Sequence, residues 1–286
     1  MSVCKAMVTG AKGELSRAVC DYLNNKNIFA TCISVRGQEW QTRDLSEFDS
    51  IVHIAGVVPK EGITADDFYR VNRDLTIELA QKAKADGTKH FIYISSMAVY
   101  GIKPSLDAVK GTVTENTPCN PESDYGKSKL EAENGLHELE SDDFIVSIIR
   151  VPSIYSATKL DYFEQYRFIM RKFRSIPLAY QDRHRSAICV DNLCEIIRLI
   201  ICYPENRIYC PDDGKLTAKD YCLMIDQQKH CSVLTGLVAK VLRWHPAVVD
   251  CFGAVAYDDK LTSVFDGKYR IVSAEKMAER IKNENR

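Results

Sequence analysis

The chain has 286 residues, of which 45% are hydrophobic and 27% are charged, a composition typical of a globular protein with a sizeable core. A formal net charge of −1 provides no bulk attraction to nucleic acid or to an anionic membrane surface. No stretch reaches the roughly 18 uncharged apolar residues of a membrane-spanning helix, and the N-terminus has the pattern of a strand rather than of a signal peptide. We therefore expect a cytoplasmic protein with no nucleic-acid or membrane partner.

Eleven cysteines are spread along the chain without any CxxC pair. Most lie within apolar strand or helix patterns, which predicts buried free thiols in a reducing compartment. No cluster of cysteine and histidine has the spacing of metal ligands, so no metal site is expected.

The first elements in the chain predict a phosphate-binding turn. A strand over residues 3–8 leads through a turn that contains Gly10 and Gly13 into a helix over residues 17–24. A helix N-terminus that follows a glycine turn offers backbone N–H groups and a positive dipole end to a pyrophosphate. Ser16 stands where a third glycine is usual, which predicts slightly looser packing of the helix on the strand or a small displacement of the helix.

A second strand, over residues 29–36, ends at Ser34 and Arg36 without an aspartate or glutamate. In dinucleotide-binding folds an acidic residue at this point binds the ribose hydroxyls of NAD, whereas an arginine accommodates the 2′-phosphate of NADP. The pattern favours NADP. NAD stays open as the alternative, because an exposed arginine that stacks on adenine is compatible with both cofactors.

The alternation of strands and helices continues through the next hundred residues. Strands are predicted over residues 50–56, 89–96 and 144–150, with a long amphipathic helix over 65–86 and a polar loop over 102–124. We interpret His53 as a packed strand residue, and Asn72 as a side chain that ties strands together. The alternation predicts an α/β fold with a doubly wound parallel sheet, whose strand ends hold the ligands.

The helix over residues 125–140 carries Tyr125 and Lys129 one turn apart. Positions i and i+4 share a helix face, so the phenol and the ammonium can point into one cavity. A nearby positive charge is expected to lower the pKa of the tyrosine towards the working range. Such a pair can exchange a proton with a substrate oxygen while a hydride moves at the attached carbon.

Beyond residue 152 the pattern loosens. Helices are predicted over residues 162–173, 193–202 and 273–281, and two more within 217–245. We expect a nucleotide-binding domain over residues 1–152 and a small mixed substrate-binding lobe over residues 153–286, of which 187–210 can pack back on the first domain.

Four motifs occur in a characteristic order, namely TGxxG, HIAG, SSxAVYG and YGKSK. With them the chain resembles the extended short-chain dehydrogenase/reductase family, in the NAD-dependent epimerase/dehydratase branch that acts on nucleotide sugars. The resemblance implies a Rossmann fold, a UDP-linked sugar substrate, and a homodimer built on helices 65–86 and 125–140. It implies a catalytic trio of Ser96, Tyr125 and Lys129. It implies cofactor contacts at Gly10, Ala11, Lys12, Gly13, Glu14, Leu15, Ser34, Arg36, Asp44, Leu45, Ile54, Ala55, Gly56, Tyr125, Lys129, Pro152 and Ser153. It implies substrate contacts at Ser96, Met97 and Arg185.

The residues after Ser96 separate the reactions of that branch. Related dehydratases carry an Asp-Glu pair there, whereas Met97 and Ala98 cannot transfer protons. Among the reactions of that branch, hydride transfer at C4 of the sugar remains as the expected one. We expect a reductase of a UDP-4-keto-6-deoxyhexose or its amino-sugar counterpart, with a UDP-glucose-type 4-epimerase as the alternative. An alternative of another class is a non-catalytic NADP-binding sensor.

Overall fold

A computed structural model describes residues 4–107, 109–157, 175–177, 183–214, 216–217, 220–221, 224, 230–232, 241, 249–250 and 252–284. The predicted helix over 162–173 lies outside the described residues, as does most of the predicted pair within 217–245. Two compact units divide the chain. The first comprises residues 1–101, 118–151 and 193–210, and the second comprises residues 102–117, 152–192 and 211–286.

The first unit is built on a six-stranded sheet in which every neighbouring pair is parallel. The strands, numbered in chain order, lie in the spatial order β11 (Arg207–Tyr209), β6 (Ile145–Val151), β4 (His90–Ser96), β3 (Ser50–His53), β1 (Lys5–Thr9) and β2 (Phe29–Ile33). The central strands are buried almost throughout, as expected of a parallel sheet covered on both faces. The predicted doubly wound parallel sheet is confirmed.

The chain reverses its winding direction between β1 and β3, which are neighbours in the sheet. From β1 it proceeds to β2 on one side, and then returns to β3 on the other side. The carboxyl ends of two such strands border the crevice where open α/β sheets bind their ligands. Gly10 follows β1, and Ala55 and Gly56 follow β3, so the sequence places its small residues at this crevice.

Seven α-helices have both of their ends within the described residues. They are α1 (Glu14–Asn24), α2 (Ala65–Phe68), α3 (Leu75–Asp86), α4 (Asp124–His137), α5 (Val190–Cys202), α6 (Asp259–Thr262) and α7 (Ala274–Glu284). Short 3₁₀ turns cover Glu39–Thr42, Met97–Tyr100 and Val264–Gly267.

The helix predicted over residues 65–86 is not uniform. It begins with a capping box at Thr64 and Asp67, widens into a π-helical turn at Tyr69–Asp74, and continues as α3. Within the π turn, the backbone carbonyl of Asn72 accepts hydrogen bonds from the hydroxyls of Tyr93 (3.1 Å) and Thr76 (2.8 Å). π turns often mark functional positions in helices.

Helix α4 is held tightly at its start. Ser123 caps it by accepting a hydrogen bond from the N–H of Gly126 (3.1 Å). A Cβ atom at Gly126 would lie 2.7 Å from the carbonyl oxygen of Ala98, so only glycine lets the helix approach the 3₁₀ turn that follows β4. This close approach brings Tyr125 beside Ser96.

A buried ion pair holds the middle of α4 against β6. The Arg150 guanidinium donates to both carboxylate oxygens of Glu133, with Nη2 2.6 Å from Oε2, and the two side chains are 10% and 1% exposed. The hydroxyl of Ser95 also donates to Glu133, and Arg150 Nη1 donates to the Tyr100 hydroxyl at 2.9 Å. The fold can bury this ion pair because the Glu133 carboxylate receives hydrogen bonds from both Arg150 and Ser95.

The second unit contains short strand pairs. They are β5 (Thr112–Val113) with β14 (Ala256–Tyr257), β7 (Ser153–Tyr155) with β10 (Ala187–Cys189), and β8 (Ser175–Pro177) with β13 (His230–Ser232), all parallel, and β9 (His184–Arg185) with β12 (Leu216–Thr217), antiparallel. The half-buried Asp213 of this unit accepts hydrogen bonds from Tyr155 (2.6 Å), Asn192 (2.8 Å) and the N–H of Cys189 (2.9 Å). Burial raises the pKa of Asp213 to about 6.

The expected assignment of residues 102–117 to the nucleotide-binding domain is wrong. They belong to the second unit, because β5 pairs with β14 and Ser105 bridges to Ala254. Residues 193–210 belong to the first unit, since β11 extends its sheet beside β6.

Three further features concern the described part of the chain. Eight of the cysteines in this part are free thiols, and four of these eight are buried. Within it, no group of three or more His, Cys, Asp or Glu side chains is arranged to hold a metal ion. A search of its helices finds none that is long and apolar enough to cross a membrane.

The ion pair behind α4 yields a stability prediction. Replacing Arg150 by methionine leaves the Glu133 charge buried without its partner, which is expected to lower the free energy of unfolding by about 3–5 kcal/mol. Urea unfolding measures this change in the free energy of unfolding. Arg43→Met is the matched control, because Arg43 and Glu47 form an exposed pair, and is expected to change stability by about 1 kcal/mol or less. An Arg150→Met variant as stable as the control would contradict the role given to this pair.

Candidate active site

Ser96 and Tyr125 meet where β4 ends and α4 begins. The Ser96 hydroxyl lies near enough to the Tyr125 phenol to favour its ionised form, and the Ser96 Oγ accepts a hydrogen bond from the N–H of Ala98 (3.1 Å). The ring of Phe68 packs edge-on against the Tyr125 ring with centroids 5.8 Å apart. The predicted serine and tyrosine are therefore neighbours, and the Tyr125 residue as a whole is half-buried.

The ionisation of Tyr125 differs from the expectation. The sequence predicts that Lys129 lowers the pKa of the Tyr125 phenol. The structure gives the opposite shift: the pKa of Tyr125 is raised, because burial disfavours the phenolate more than Ser96 favours it. Tyr125 therefore carries its proton at neutral pH.

Lys129 lies one turn further along α4 and is only 5% exposed. Its ammonium donates to the carbonyl oxygen of Ile94 (3.0 Å) and lies 4.7 Å from the centre of the Tyr93 ring. Burial lowers the pKa of Lys129 to about 8, and the Glu133 charge opposes this shift. Lys129 is thus a buried cation near the midpoint of its titration at mildly alkaline pH.

Gly56 lines the same region from β3. A Cβ atom there would lie 2.9 Å from Asn72 Oδ1 and 3.6 Å from Lys129 Nζ. The side chain of Asn72 holds this segment by accepting from the N–H of Val57 (2.8 Å) and donating to its carbonyl (3.0 Å). Asn72 thus fixes the backbone after β3, as well as reaching Ser128 Oγ at 3.4 Å on α4.

A chain of hydrogen bonds runs through His53, which the sequence identified only as a packed strand residue. The N–H groups of Ile54 and Ala55 both donate to Thr9 Oγ1 (3.0 and 2.9 Å). The Thr9 hydroxyl therefore directs its proton to His53 Nδ1 at 3.0 Å. The ring then carries its proton on Nε2 and donates to Thr76 Oγ1 at 3.0 Å.

The chain is consistent only with a neutral imidazole. The Thr76 hydroxyl passes its proton on to the Asn72 carbonyl, so it accepts from His53 rather than donating. Burial and the charge of Lys129 lower the pKa of His53 to about 3. His53 is therefore a neutral connector between the end of β1 and the π turn, and sequence spacing alone gives no sign of these partners.

The predicted pyrophosphate turn comprises Gly10, Ala11, Lys12, Gly13, Glu14 and Leu15. Gly10 has a φ of +93°, and its carbonyl accepts from the N–H of Gly13 (2.7 Å) immediately before α1 begins. The positive end of α1 thus faces this turn.

Ser16 corrects the expectation of looser packing. It is 2% exposed, and its hydroxyl donates to the Thr9 carbonyl at 2.9 Å. A Cβ atom at Gly10 would lie 2.8 Å from Ser16 Oγ, so the hydroxyl occupies the space that Gly10 leaves. Serine therefore ties α1 to β1 instead of displacing it.

The residues expected near the adenosine lie just after β2 and in the segment that leads to β3. Ser34 and Arg36 are exposed after β2, with the N–H of Arg36 3.3 Å from Ser34 Oγ. Asp44 is exposed, and its carboxylate accepts from the N–H of Ser46 at 2.9 Å. Leu45 is fully buried, with its N–H bonded to Asp86 at 2.9 Å, so its side chain belongs to the core.

Pro152, Ser153 and Arg185 lie in the second unit. Arg185 is 8% exposed, and its Nη1 donates to the backbone carbonyls of Asp250 and Gly253, both at 2.8 Å. An arginine that grips a diphosphate needs an accessible guanidinium, so this burial argues against the expected role of Arg185. Met97 is partly buried at the start of the 3₁₀ turn after β4.

A family model for the "NAD dependent epimerase/dehydratase family" matches residues 6–206. The chain belongs to this family. Its matched part contains the glycine turn, the strand ends and the Ser96, Tyr125 and Lys129 side chains.

Several curated relatives are 4-epimerases. The UDP-glucose 4-epimerase of Vibrio cholerae is 32% identical over 154 residues, which are 51% of this chain and 45% of that protein. The N-acetyl-alpha-D-glucosaminyl-diphospho-ditrans,octacis-undecaprenol 4-epimerase of Escherichia coli O157:H7 is 34% identical over 104 residues, 36% of this chain and 30% of that protein. The matches thus span less than half the length of these relatives.

Solved structures share the fold over nearly the whole chain. The UDP-N-acetylglucosamine 4-epimerase from Bacillus cereus has a TM-score of 0.70 at 16% identity, covering 99% of both chains. A dTDP-4-dehydrorhamnose reductase from Clostridium acetobutylicum has a TM-score of 0.68 at 17% identity, covering 99% of this chain and 100% of that one. Both likenesses establish the fold alone.

The buried Lys129 makes stability depend on pH. Its pKa is about 8 in the folded chain, against about 10.4 in an unfolded one, so folding favours the neutral amine. Burying the charged ammonium lowers the stability of the fold. This loss of stability is fully present below pH 8 and disappears as the pH rises towards about 10.4. The stability of the wild type relative to Lys129→Met is expected to rise by about 3 kcal/mol across that window.

Urea unfolding at pH 7 and pH 10 measures this difference. Lys127→Met is the control, because Lys127 is exposed on the same helix and should give no such change between the two pH values. If the free energies of unfolding of wild type and Lys129→Met differed by the same amount at both pH values, the burial of the Lys129 charge would be contradicted.

Proposed function

We propose that this protein transfers hydride at C4 of a UDP-linked sugar, in the direction that reduces a 4-keto-6-deoxyhexose or its amino-sugar counterpart. The observation that carries the proposal is the placement of the Tyr125 phenol beside Ser96, with the buried Lys129 one turn later on the same helix. A protonated phenol suits a reaction in which a carbonyl oxygen gains a proton.

Each of the three side chains has a role in the proposed reaction. Tyr125 gives its proton to the C4 oxygen, and Ser96 donates a hydrogen bond to the same oxygen and orients it. Lys129 supplies positive charge that stabilises the phenolate left on Tyr125. Met97 and Ala98 have no group that transfers protons, which supports simple hydride transfer over dehydration.

The nucleotide turn fits a nicotinamide dinucleotide. The left-handed Gly10, the N-terminus of α1, and the small residues after β3 border the crevice at the point where the sheet reverses its winding. Gly10 to Leu15 would hold the pyrophosphate, and Ile54, Ala55 and Gly56 would line the cofactor. When bound, the cofactor supplies the hydride.

We propose NADP as the preferred cofactor. Arg36 is exposed just beyond β2, next to Ser34, and no carboxylate lies between Ile33 and Gln38 to bind the ribose hydroxyls of NAD. A guanidinium at this position can pair with a 2′-phosphate.

The second candidate is a UDP-hexose 4-epimerase of the UDP-glucose type. The observation that favours it is the recurrence of 4-epimerases among the curated relatives. In that reaction the hydride leaves C4 and returns to the opposite face, so a bound NAD is regenerated in every turnover.

The test uses the purified protein with NADPH or NADH and a UDP-4-keto-6-deoxy sugar. Oxidation of NADPH in proportion to sugar reduced is expected. Tyr125→Phe is expected to lower turnover by about 10²–10⁴-fold, because it removes the proton donor, while NADPH binding is retained. Tyr203→Phe, at a tyrosine that is 65% exposed, is the matched control and should match the wild type.

Other results would redirect the proposal. Retained NAD together with interconversion of UDP-glucose and UDP-galactose would replace the reductase by the 4-epimerase. Equal turnover by Tyr125→Phe and wild type would remove the phenol from the mechanism. NADPH binding without turnover on either sugar would support the non-catalytic sensor.

We also propose a homodimer that uses the outer faces of α3 and α4. The two helices are adjacent in the first unit, where Arg73 of the π turn pairs with Glu131 at 2.8 Å and Ile77 packs against Gly135. Light scattering is expected to give twice the chain mass of 32.4 kDa.

A charge substitution tests which surface is used. Gln81 is exposed on α3, and Gln81→Arg brings an added positive charge from each copy into the proposed interface, which should shift the mass towards one chain. Gln38→Arg makes the same change at an exposed position outside these helices and should leave the dimer intact. A monomeric wild type at micromolar concentration would contradict the proposal.

A further inference from the structure

Two cysteines of the first unit stand next to each other across the interface between α1 and β2. Cys20 is on α1 and Cys32 is on β2, and their Sγ atoms are 2.7 Å apart. Both are free thiols. A disulfide has an S–S length of about 2.05 Å, so the sulfur atoms need to move by about 0.7 Å to form one.

The surrounding contacts hold the two elements at this separation. The side-chain amide of Asn24 on α1 donates to the carbonyl of Ala30 on β2 (3.1 Å) and accepts from its N–H (3.0 Å). The Cys32 thiol donates to the carbonyl of Ser16 in the first turns of α1 (3.2 Å). Contacts near both ends of α1 therefore hold the helix against β2 and keep the two thiols next to each other.

The two thiols differ in access. Cys20 is 7% exposed, whereas Cys32 is half-buried on β2, which is an edge strand of the sheet. Burial and the hydrogen bond with Cys32 raise the pKa of the Cys20 thiol, so it is a poor first nucleophile. A small oxidant therefore reaches Cys32 first.

We propose that Cys20 and Cys32 form a redox-active dithiol site that closes to an intramolecular disulfide on reaction with a low-molecular-weight disulfide. In the first step the Cys32 thiolate attacks one sulfur of the small disulfide, whose S–S bond breaks and releases one thiol. In the second step the Cys20 thiolate attacks the Cys32 sulfur of the mixed disulfide, and the second small thiol leaves. The protein loses two hydrogens, and one small disulfide becomes two thiols.

The product would link α1 to β2 beside the turn at Gly10–Gly13. A covalent link between residues 20 and 32 restricts the unfolded chain and raises the melting temperature by several degrees. The proposal stands on the thiol geometry and does not depend on the proposed reaction at C4.

Peptide mapping tests the site on the full chain. The protein is treated with oxidised glutathione, remaining thiols are alkylated under denaturing conditions, and trypsin digestion follows without reduction. Cleavage after Arg17, Lys26 and Arg36 yields two peptides with one cysteine each, residues 18–26 and 27–36. We expect these two peptides to be recovered linked to each other, with a mass two hydrogens below their sum.

Variants separate the two steps. Cys20→Ser removes the resolving thiol, so Cys32 is expected to stay as a glutathione adduct. Cys32→Ser is expected to leave Cys20 unmodified, because that thiol is buried. Cys202→Ser removes an exposed thiol outside the pair and should leave the link unchanged.

The wild-type map decides the outcome even if a variant fails to fold. Recovery of both peptides alkylated, at an oxidant concentration that modifies exposed Cys202, would overturn the proposal. A glutathione adduct on Cys32 that persists in the wild type would overturn it as well, since Cys20 would then not resolve it.

Discussion

The buried contact between Glu133 and Arg150 governs the position of every reactive group on α4. Tyr125, Lys129 and Glu133 follow one another at intervals of four residues, so all three project from one face of the helix. That face is turned towards β4 and β6, where Arg150 and Ser95 bind the carboxylate. Because the carboxylate and guanidinium require each other once they are out of water, the helix has little freedom to rotate or slide.

The same carboxylate makes the burial of Lys129 tolerable. A lone ammonium in the sheet interior would lose its proton or force α4 outwards. The Glu133 charge counteracts the effect of burial on the pKa of Lys129, and the Ile94 carbonyl and the Tyr93 ring solvate the ammonium directly. Lys129 thus remains charged over part of the physiological range, although it is almost inaccessible to water.

Much of this arrangement is readable from the sequence. The i, i+4 spacing identified Tyr125 and Lys129, and the order of strands and glycine turns identified the parallel sheet and its ligand-binding edge. The ionisation of Tyr125 was not predictable, because it depends on how deeply the ring is buried. The partners of His53 come from β1 and the π turn, 44 and 23 residues away, and no local pattern reports contacts at such separations. Likewise Ser16 departs from the glycine pattern, yet fits because its hydroxyl finds the Thr9 carbonyl.

The choice between reduction and epimerisation depends less on these three side chains than on how firmly the dinucleotide is held, since the same trio can run hydride transfer in both directions. Several polar groups at the crevice are already engaged within the protein. The N–H groups of Ile54 and Ala55 bind Thr9, and the amide of Asn72 binds Val57. The end of β2 adds an exposed arginine, with no carboxylate between Ile33 and Gln38 to bind ribose hydroxyls. A phosphate held by an exposed guanidinium is screened by salt and exchanges readily. An exchangeable cofactor suits a reaction that consumes one hydride per turnover, as the proposed reductase would.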